Sequence, residues 1–195
     1  QVVIPNLVLR DGEQVIVAFS LDPRVASDLA PRREDEPPPV HALVVTSDGY
    51  SLRFSLEPFV EPSTRAGRRY ARPVEGAEVV GVAKVTGAEV IIAATREARA
   101  ILCSAEEVNY LFGPGKGVIL IKLTRREDRV IGFIASAGDR DLLRVETSRG
   151  GEQTISTAKY EVTGRGGKGR ALLQRGQFTR IVPVDVENPQ PLTSE

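Results

Sequence analysis

Short apolar runs separated by turns rich in glycine, proline and charge dominate the chain. Between Tyr50 and Phe54 the apolar Tyr50, Leu52 and Phe54 alternate with Ser51 and Arg53, behind the run Leu43-Val44-Val45 and the turn Ser47-Asp48-Gly49. This predicts a β-hairpin with a glycine-containing turn. Similar runs, Ile91-Ile92-Ala93-Ala94 and Leu142-Leu143-Arg144-Val145, lead into Thr95-Arg96-Glu97-Ala98 and Thr147-Ser148-Arg149-Gly150. Further strands are predicted at Ala77–Val82, Val118–Ile121, Arg129–Phe133 and Arg170–Leu173, with the last unit ending at Ile181-Val182-Pro183-Val184. Ser55-Leu56-Glu57-Pro58-Phe59 and Ser104-Ala105-Glu106-Glu107-Val108 read as serine-capped helical turns, the second with a capping box. Near the start, Asn6–Leu9 and Gln14–Phe19 flank a turn at Arg10-Asp11-Gly12 and predict two short strands.

The pattern repeats. Thr46, Thr95 and Thr147 are spaced by 49 and 52 residues, each is followed nine residues later by a serine (Ser55, Ser104, Ser156), and a basic glycine segment follows twenty or twenty-one residues on, at Gly67, Gly115 and Gly167. A period near 50 indicates a stacked or circular array, in which no unit buries its apolar face until a neighbour covers it. The expected fold is all-β and propeller-like, with blades of about four strands: three full blades at residues 42–85, 90–136 and 142–186 and a partial first blade at 1–20, within one domain spanning 1–186. Residues 22–40, with Pro31-Arg32-Arg33-Glu34-Asp35-Glu36-Pro37-Pro38-Pro39, are too proline-rich and charged for a sheet and predict a mobile loop between two blades. Residues 187–195 are expected to form a flexible tail.

Composition refines this picture. With 41% hydrophobic and 27% charged residues and no long apolar run, the 195-residue chain reads as soluble and globular, with no membrane association. Gln1-Val2-Val3-Ile4-Pro5 has no signal-peptide pattern, so the sequence is expected to start within a longer protein, and the single Cys103 suits the reducing cytoplasm. The net charge is zero, yet the charges are segregated: residues 1–62 carry 5 Lys+Arg against 10 Asp+Glu, 63–180 carry 21 against 13, and 181–195 carry none against 3. A basic array between acidic ends suits a polyanionic partner.

The basic glycine loops are the candidate site. A nucleotide phosphate loop is excluded, because Lys116 and Lys168 are each followed by glycine rather than Ser or Thr and neither loop opens a long helix. Glycines that let the backbone approach a phosphodiester, with cations beside them, suit a duplex instead. The predicted DNA contacts are Arg65, Arg68, Arg69, Arg72, Lys116, Lys122, Arg165, Lys168, Arg170 and Arg175. The plainer reading is turn-forming glycine with solvated arginine; recurrence of the loop at one position of each repeat favours DNA. An acidic protein docking on a propeller-type interaction module is the alternative partner. Tyr50, Tyr110 and Tyr160 are too few for a single-strand stacking platform and read as packing residues. One histidine, His41, and one cysteine, Cys103, make neither a catalytic pair nor a zinc site, and no metal, cofactor or catalytic group is assigned.

Thr163-Gly164-Arg165-Gly166-Gly167-Lys168-Gly169 resembles the gyrase box, Gln-Arg-Arg-Gly-Gly-Lys-Gly, of the C-terminal domain of the A subunit of bacterial type IIA topoisomerases, DNA gyrase and topoisomerase IV. Val45–Tyr50 and Ile4–Leu9 resemble its blade strands. The resemblance covers essentially the whole chain. It implies a β-pinwheel whose blades exchange strands and which binds and bends or wraps duplex DNA on its outer rim, associated with the bacterial nucleoid. It further implies partners in the cleavage core of the same A subunit and the ATPase B subunit, this chain assisting the topoisomerase without cutting DNA. Gly164 stands where the box has its first arginine and Thr163 where it has glutamine, and the best copy lies in the last unit, whereas a gyrase carries the full box in its first blade. Both a gyrase and a topoisomerase IV A subunit fit.

Overall fold

The structure, a computed structural model, describes residues 11–21, 40–61 and 67–183. Twelve strands follow in chain order: β1 (His41–Thr46), β2 (Tyr50–Phe54), β3 (Val79–Val85), β4 (Val90–Thr95), β5 (Arg99–Ser104), β6 (Tyr110–Leu111), β7 (Val118–Ile119), β8 (Val130–Ser136), β9 (Leu143–Thr147), β10 (Glu152–Ile155), β11 (Arg170–Ala171) and β12 (Phe178–Ile181). They form three sheets, ordered β3-β1-β2-β6 with β7 also on β2, β8-β4-β5-β11, and β12-β9-β10. The architecture is the expected all-β array.

Within each sheet the hairpin and the long return strand come from one repeat. In the first two sheets the outermost strand comes from the next repeat: β6 and β7 of the second repeat lie on β2 of the first, and β11 of the third lies on β5 of the second. The chain therefore exchanges strands between neighbouring sheets. On the opposite edge the return strands β3, β8 and β12 adjoin one another, with Phe133 packed over Gly81 and Ile181 over Gly132.

The unbroken apolar runs follow from stacking. Leu43 and Val45 of β1 face a core shared with Ile91, Ala93, Leu120 and Ile121 of the second repeat, while Ala42 and Val44 face a separate core with Leu52 and Phe54. In β4, Ile91 and Ala93 point to the first core and Ile92 and Ala94 to another shared with Leu143, Val145, Ile155 and Phe178 of the third repeat. A strand covered on both faces must be apolar at every position, so period-two alternation disappears from the middle strands and survives only partly elsewhere. Each fully buried Leu or Ile contributes about 1.5–3 kcal/mol, and much of that stabilisation is realised between repeats.

Hydrogen bonds repeat with the same period. Val130 N–H donates to the Ser47 carbonyl and Phe178 N–H to that of Arg96; Leu120 N–H donates to Gly49 and Leu172 N–H to Ala98. Ala98, at φ +55 and buried, holds the left-handed turn position that glycine holds at 49 and 150.

The glycines of the basic loops have a structural duty. A Cβ on Gly117 (φ +81) would sit 2.1 Å from the Ser51 carbonyl oxygen, and one on Gly169 (φ +64) would sit 2.6 Å from that of Ala100. Here the exchanged segment lies against the backbone of the preceding repeat, so no side chain fits.

Several expectations are modified. Only two residues of Val118–Ile121 and of Arg170–Leu173 pair as strand, because Leu120 and Ile121 leave the ladder to bond Gly49 and bury themselves in the core. Gln14–Phe19 joins no sheet among the described residues; Phe19 packs against the outer core of the first repeat, and Val15, Ile16 and Val17 stay exposed. The second serine-capped turn has both bonds of its capping box at Ser104 and Glu107. The first has Leu56 at its N-cap, and Ser55 Oγ accepts from Glu57 N–H instead. Strand 6–9, the body of the proline-rich loop at 22–39 and the tail 187–195 lie outside the described residues.

Alanine at Gly117 or Gly169 is expected to cost roughly 2–4 kcal/mol, through a left-handed φ and a forced backbone shift. Gly138→Ala, where an added Cβ meets nothing within 4 Å, should stay within about 0.5 kcal/mol of the parent. Urea unfolding of the three variants is the measurement.

Candidate nucleic-acid interface

The second basic loop, Gly113-Pro114-Gly115-Lys116-Gly117, lies between β6 and β7, which pair with the two ends of β2 in opposite directions. The third, Gly164–Gly169, is seated the same way: Thr163 N–H donates to the Leu102 carbonyl before it, and β11 pairs with β5 after it. Both loops thus sit at the outer edge of the preceding repeat's sheet. They also bond to one another's repeats. Arg72 N–H donates to the Gly115 carbonyl at 2.8 Å, Gly166 N–H to Leu120 at 2.7 Å, and Lys122 N–H to Gly167 at 2.8 Å. The first loop therefore touches the second, and the segment leaving the second touches the third, which makes one continuous seam across three repeats.

Arg68, Arg69, Arg72, Lys116, Lys122, Arg165, Lys168 and Arg170 belong to this seam, and all are exposed. Arg175, also exposed, stands apart beside the hairpin turn Ser148-Arg149. Arg65 lies outside the described residues. Among the described residues, ion pairs join Arg125 to Glu97, Arg144 to Glu152 and Arg180 to Glu146; none of these removes a seam cation. Lys116 Nζ rests 3.9 Å from the centre of the Tyr50 ring, and the Arg170 guanidinium lies 5.8 Å from that of Tyr160. These cation–π contacts orient the charges without neutralising them. Tyr50, Tyr110 and Tyr160 are half-buried.

Arg165 differs from its neighbours. Its Nε donates to the Glu107 carbonyl at 2.6 Å and a terminal nitrogen to the Ile119 carbonyl at 3.2 Å, while its backbone N–H bonds Glu107 Oε2. Glu107 also closes the capping box through Oε1, so one carboxylate anchors both the turn and the loop. Arg165 is a bracket between repeats as well as a surface cation.

Two further brackets were not legible as such in the sequence. Arg99 donates to the Lys168 and Gly169 carbonyls, both at 2.6 Å, and pins the third loop from behind. Arg53, only 9% exposed, reaches from β2 to the Val108 and Glu106 carbonyls of the next repeat. Burial holds the Arg53 pKa below the ordinary arginine value, against the opposing pull of Glu106. A third nitrogen lies 3.2 Å from His41 Nε2. Arginine can only donate, so Nε2 there is the unprotonated acceptor. No signal of this stands in the sequence, because Arg53 falls with Ser51 on the polar positions that alternate with Tyr50, Leu52 and Phe54, and its burial comes from the neighbouring repeat covering that face.

The remaining titratable candidates are packing groups. His41 is fully buried. Burial pushes the Cys103 thiol up to about 12, with Glu107 adding to the shift and Arg165 opposing it, so the sulfur is neither nucleophile nor ligand at neutral pH. Among the described residues no group of three or more His, Cys, Asp or Glu is placed to hold a metal ion, and no helix is long and apolar enough to cross a membrane.

Comparison with known proteins agrees with this architecture. The family model of the DNA gyrase C-terminal domain, a β-propeller, matches residues 41–86 and 89–137. No curated protein matches the sequence. Among solved structures, the C-terminal domain of DNA topoisomerase IV superposes with a TM-score of 0.63 at 17% identity, over 81% of this chain and 53% of that one. The DNA gyrase A C-terminal domain gives 0.61 at 19% identity, over 78% and 51%, and the E. coli ParC C-terminal domain 0.55 at 17%, over 72% and 60%. The chain thus spans about half the length of the first two. Two repeats of the chain, residues 41–86 and 89–137, thus match the family model of the DNA gyrase C-terminal domain, a β-propeller, and the strand-exchanged sheets share the fold of the gyrase A and topoisomerase IV C-terminal domains.

Proposed function

We propose that this chain is the DNA-binding C-terminal domain of a bacterial type IIA topoisomerase A subunit, holding duplex DNA along the outer edge of its sheets and bending it. The observation that carries this reading is the seam: three basic glycine loops, one from each repeat, joined by hydrogen bonds into a single exposed cationic track. Phosphates placed along it release condensed counterions, so binding tolerates any sequence and weakens steeply with salt. The units at 42–85, 90–136 and 142–186 act as one curved support. Smooth bending of a 20–30 bp site costs on the order of 1–6 kcal/mol, within reach of a handful of phosphate contacts.

The chemistry of strand passage belongs, in this reading, to the cleavage core of the same subunit and the ATPase B subunit, in the cytoplasm at the nucleoid. The domain supplies geometry and charge.

Lys116→Glu and Lys168→Glu are expected to weaken binding to all duplex sequences alike and to lower the slope of log K against log salt by about 0.9 for each phosphate no longer neutralised. An effect confined to one sequence would reject the phosphate role. Arg165→Ala is expected to act differently, lowering stability by about 1–2 kcal/mol as its two guanidinium bonds disappear; urea unfolding beside the binding assay separates the two effects.

Affinity measured on duplexes of about 20, 40 and 80 bp should rise until the DNA spans several repeats. Ligation of a nicked circle in the presence of the chain then distinguishes a gyrase-like wrapper, which shifts the linking number, from a topoisomerase IV-like bender, which does not. Affinity independent of length returns the acidic-protein partner.

A further inference from the structure

The seam holds one side chain that phosphate binding does not use. Phe112, at the entrance of the second basic loop, is 78% exposed, more than any other large hydrophobic residue described. A phenyl ring held in water is unfavourable by roughly 1.5–3 kcal/mol relative to burial. The residue that follows it, in Phe112-Gly113-Pro114-Gly115-Lys116, is a glycine.

The ring is not loosely hung. It stands edge-on to Tyr110, with ring centres 5.3 Å apart and planes at 82°, and Tyr110 stands edge-on to the buried His41 at 5.5 Å and 87°. Three aromatic rings thus lead from the Arg53 bracket to the surface, and the outermost is braced from behind. Arg68, Arg69, Pro58 and Phe59 line a groove together with Phe112. At the corresponding place in the third repeat, 52 residues on, stands Gly164. The feature therefore belongs to one loop and is not demanded by the repeat.

A braced apolar plate between exposed cations suits a ligand that offers a planar apolar surface between anionic groups. A base step of duplex DNA is such a ligand, and an apolar side chain pushed into the minor-groove side of a step unstacks it and kinks the helix. We propose that Phe112 is a wedge that inserts partway into a base step of the duplex lying on the seam and places a kink at the second repeat. This rests on the duplex-binding reading above. It adds that the bend is concentrated at one step, with pyrimidine–purine steps, which unstack most readily, preferred there.

The chain contains no tryptophan, so F112W installs a single reporter at the tip of the wedge. The whole chain is titrated with a 40 bp duplex carrying a central TA step and end labels for energy transfer. Expected for F112W are quenching of the indole emission on binding, shielding from acrylamide in the complex, and a bend equal to that of the wild type. F112A is expected to bind about tenfold more weakly, as for removal of one aromatic ring stacked on a base, with a smaller bend but an unchanged salt slope, since every cation is retained. An indole that stays accessible in the complex, or an F112A complex bent like the wild type, overturns the wedge while leaving the seam in place. A wild-type chain that fails to bind the duplex overturns the DNA reading and the wedge together.

Discussion

The close approach of backbone to backbone at Gly117 and Gly169 is the constraint on which the arrangement depends. At each point the exchanged segment crosses the preceding sheet so near a carbonyl oxygen that a methyl group would overlap it. Beyond the crossing the chain turns inward: Leu120 and Ile121 enter the core between the first and second sheets, and Leu172 and Leu173 pack on the core between the second and third. If the crossings opened, the first two sheets would each lose their outermost strand and part of the covering of their cores. Gly117 and Gly169 are therefore first a packing requirement, and the exposure of the loop around them is a consequence. A basic glycine loop at the edge of the first two sheets is what strand exchange produces when the residues between the crossings are cationic.

Arginine serves two purposes in this framework, which net charge conceals. Arg53, Arg99 and Arg165 direct guanidinium donors at carbonyls of a neighbouring repeat, where the planar fork satisfies acceptors that no ladder reaches. Arg68, Arg69, Arg72, Lys116, Lys122 and Lys168 remain at the surface. Because the brackets grip the loop backbones, the spacing between outer cations is set by the repeats and not by mobile side-chain segments. A polyanion on the seam meets charges at fixed intervals, and the ordering cost of binding falls largely on the ligand.

Much of this could be read from the residues. Thr46, Thr95 and Thr147 with their following serines fixed the period, and a period near 50 with hairpin signals fixed an all-β array. The glycine loops and their exposed cations were legible because charge beside glycine is seldom buried. The inner roles were not, since Arg53 and Arg165 differ from surface arginines only by which carbonyls lie within reach, and that is decided by the neighbouring repeat. The shortness of β7 and β11 escaped for the same reason: Val118–Ile121 has strand composition throughout, and tertiary bonding to Gly49 ends the ladder after two residues. Gln14–Phe19 has strand composition too, but composition does not supply a partner edge.

Rigidity at the rim bears on how a duplex could follow it. A smooth path asks every base step for a small deformation, and each cation then contributes about equally. A braced apolar group at one point changes the distribution, because unstacking one step lowers the stiffness that the rest of the path must overcome. The repeats are unequal in that respect: the second carries Phe112 above Tyr110 and His41, and the third carries Gly164 and a denser run of glycine and cation. In the duplex-binding reading, the loop side chains differentiate the repeats, one suited to kinking and one to close phosphate approach. On that reading, bending is better described as a sequence of distinct local contacts on a common scaffold than as attraction to a uniformly charged cylinder.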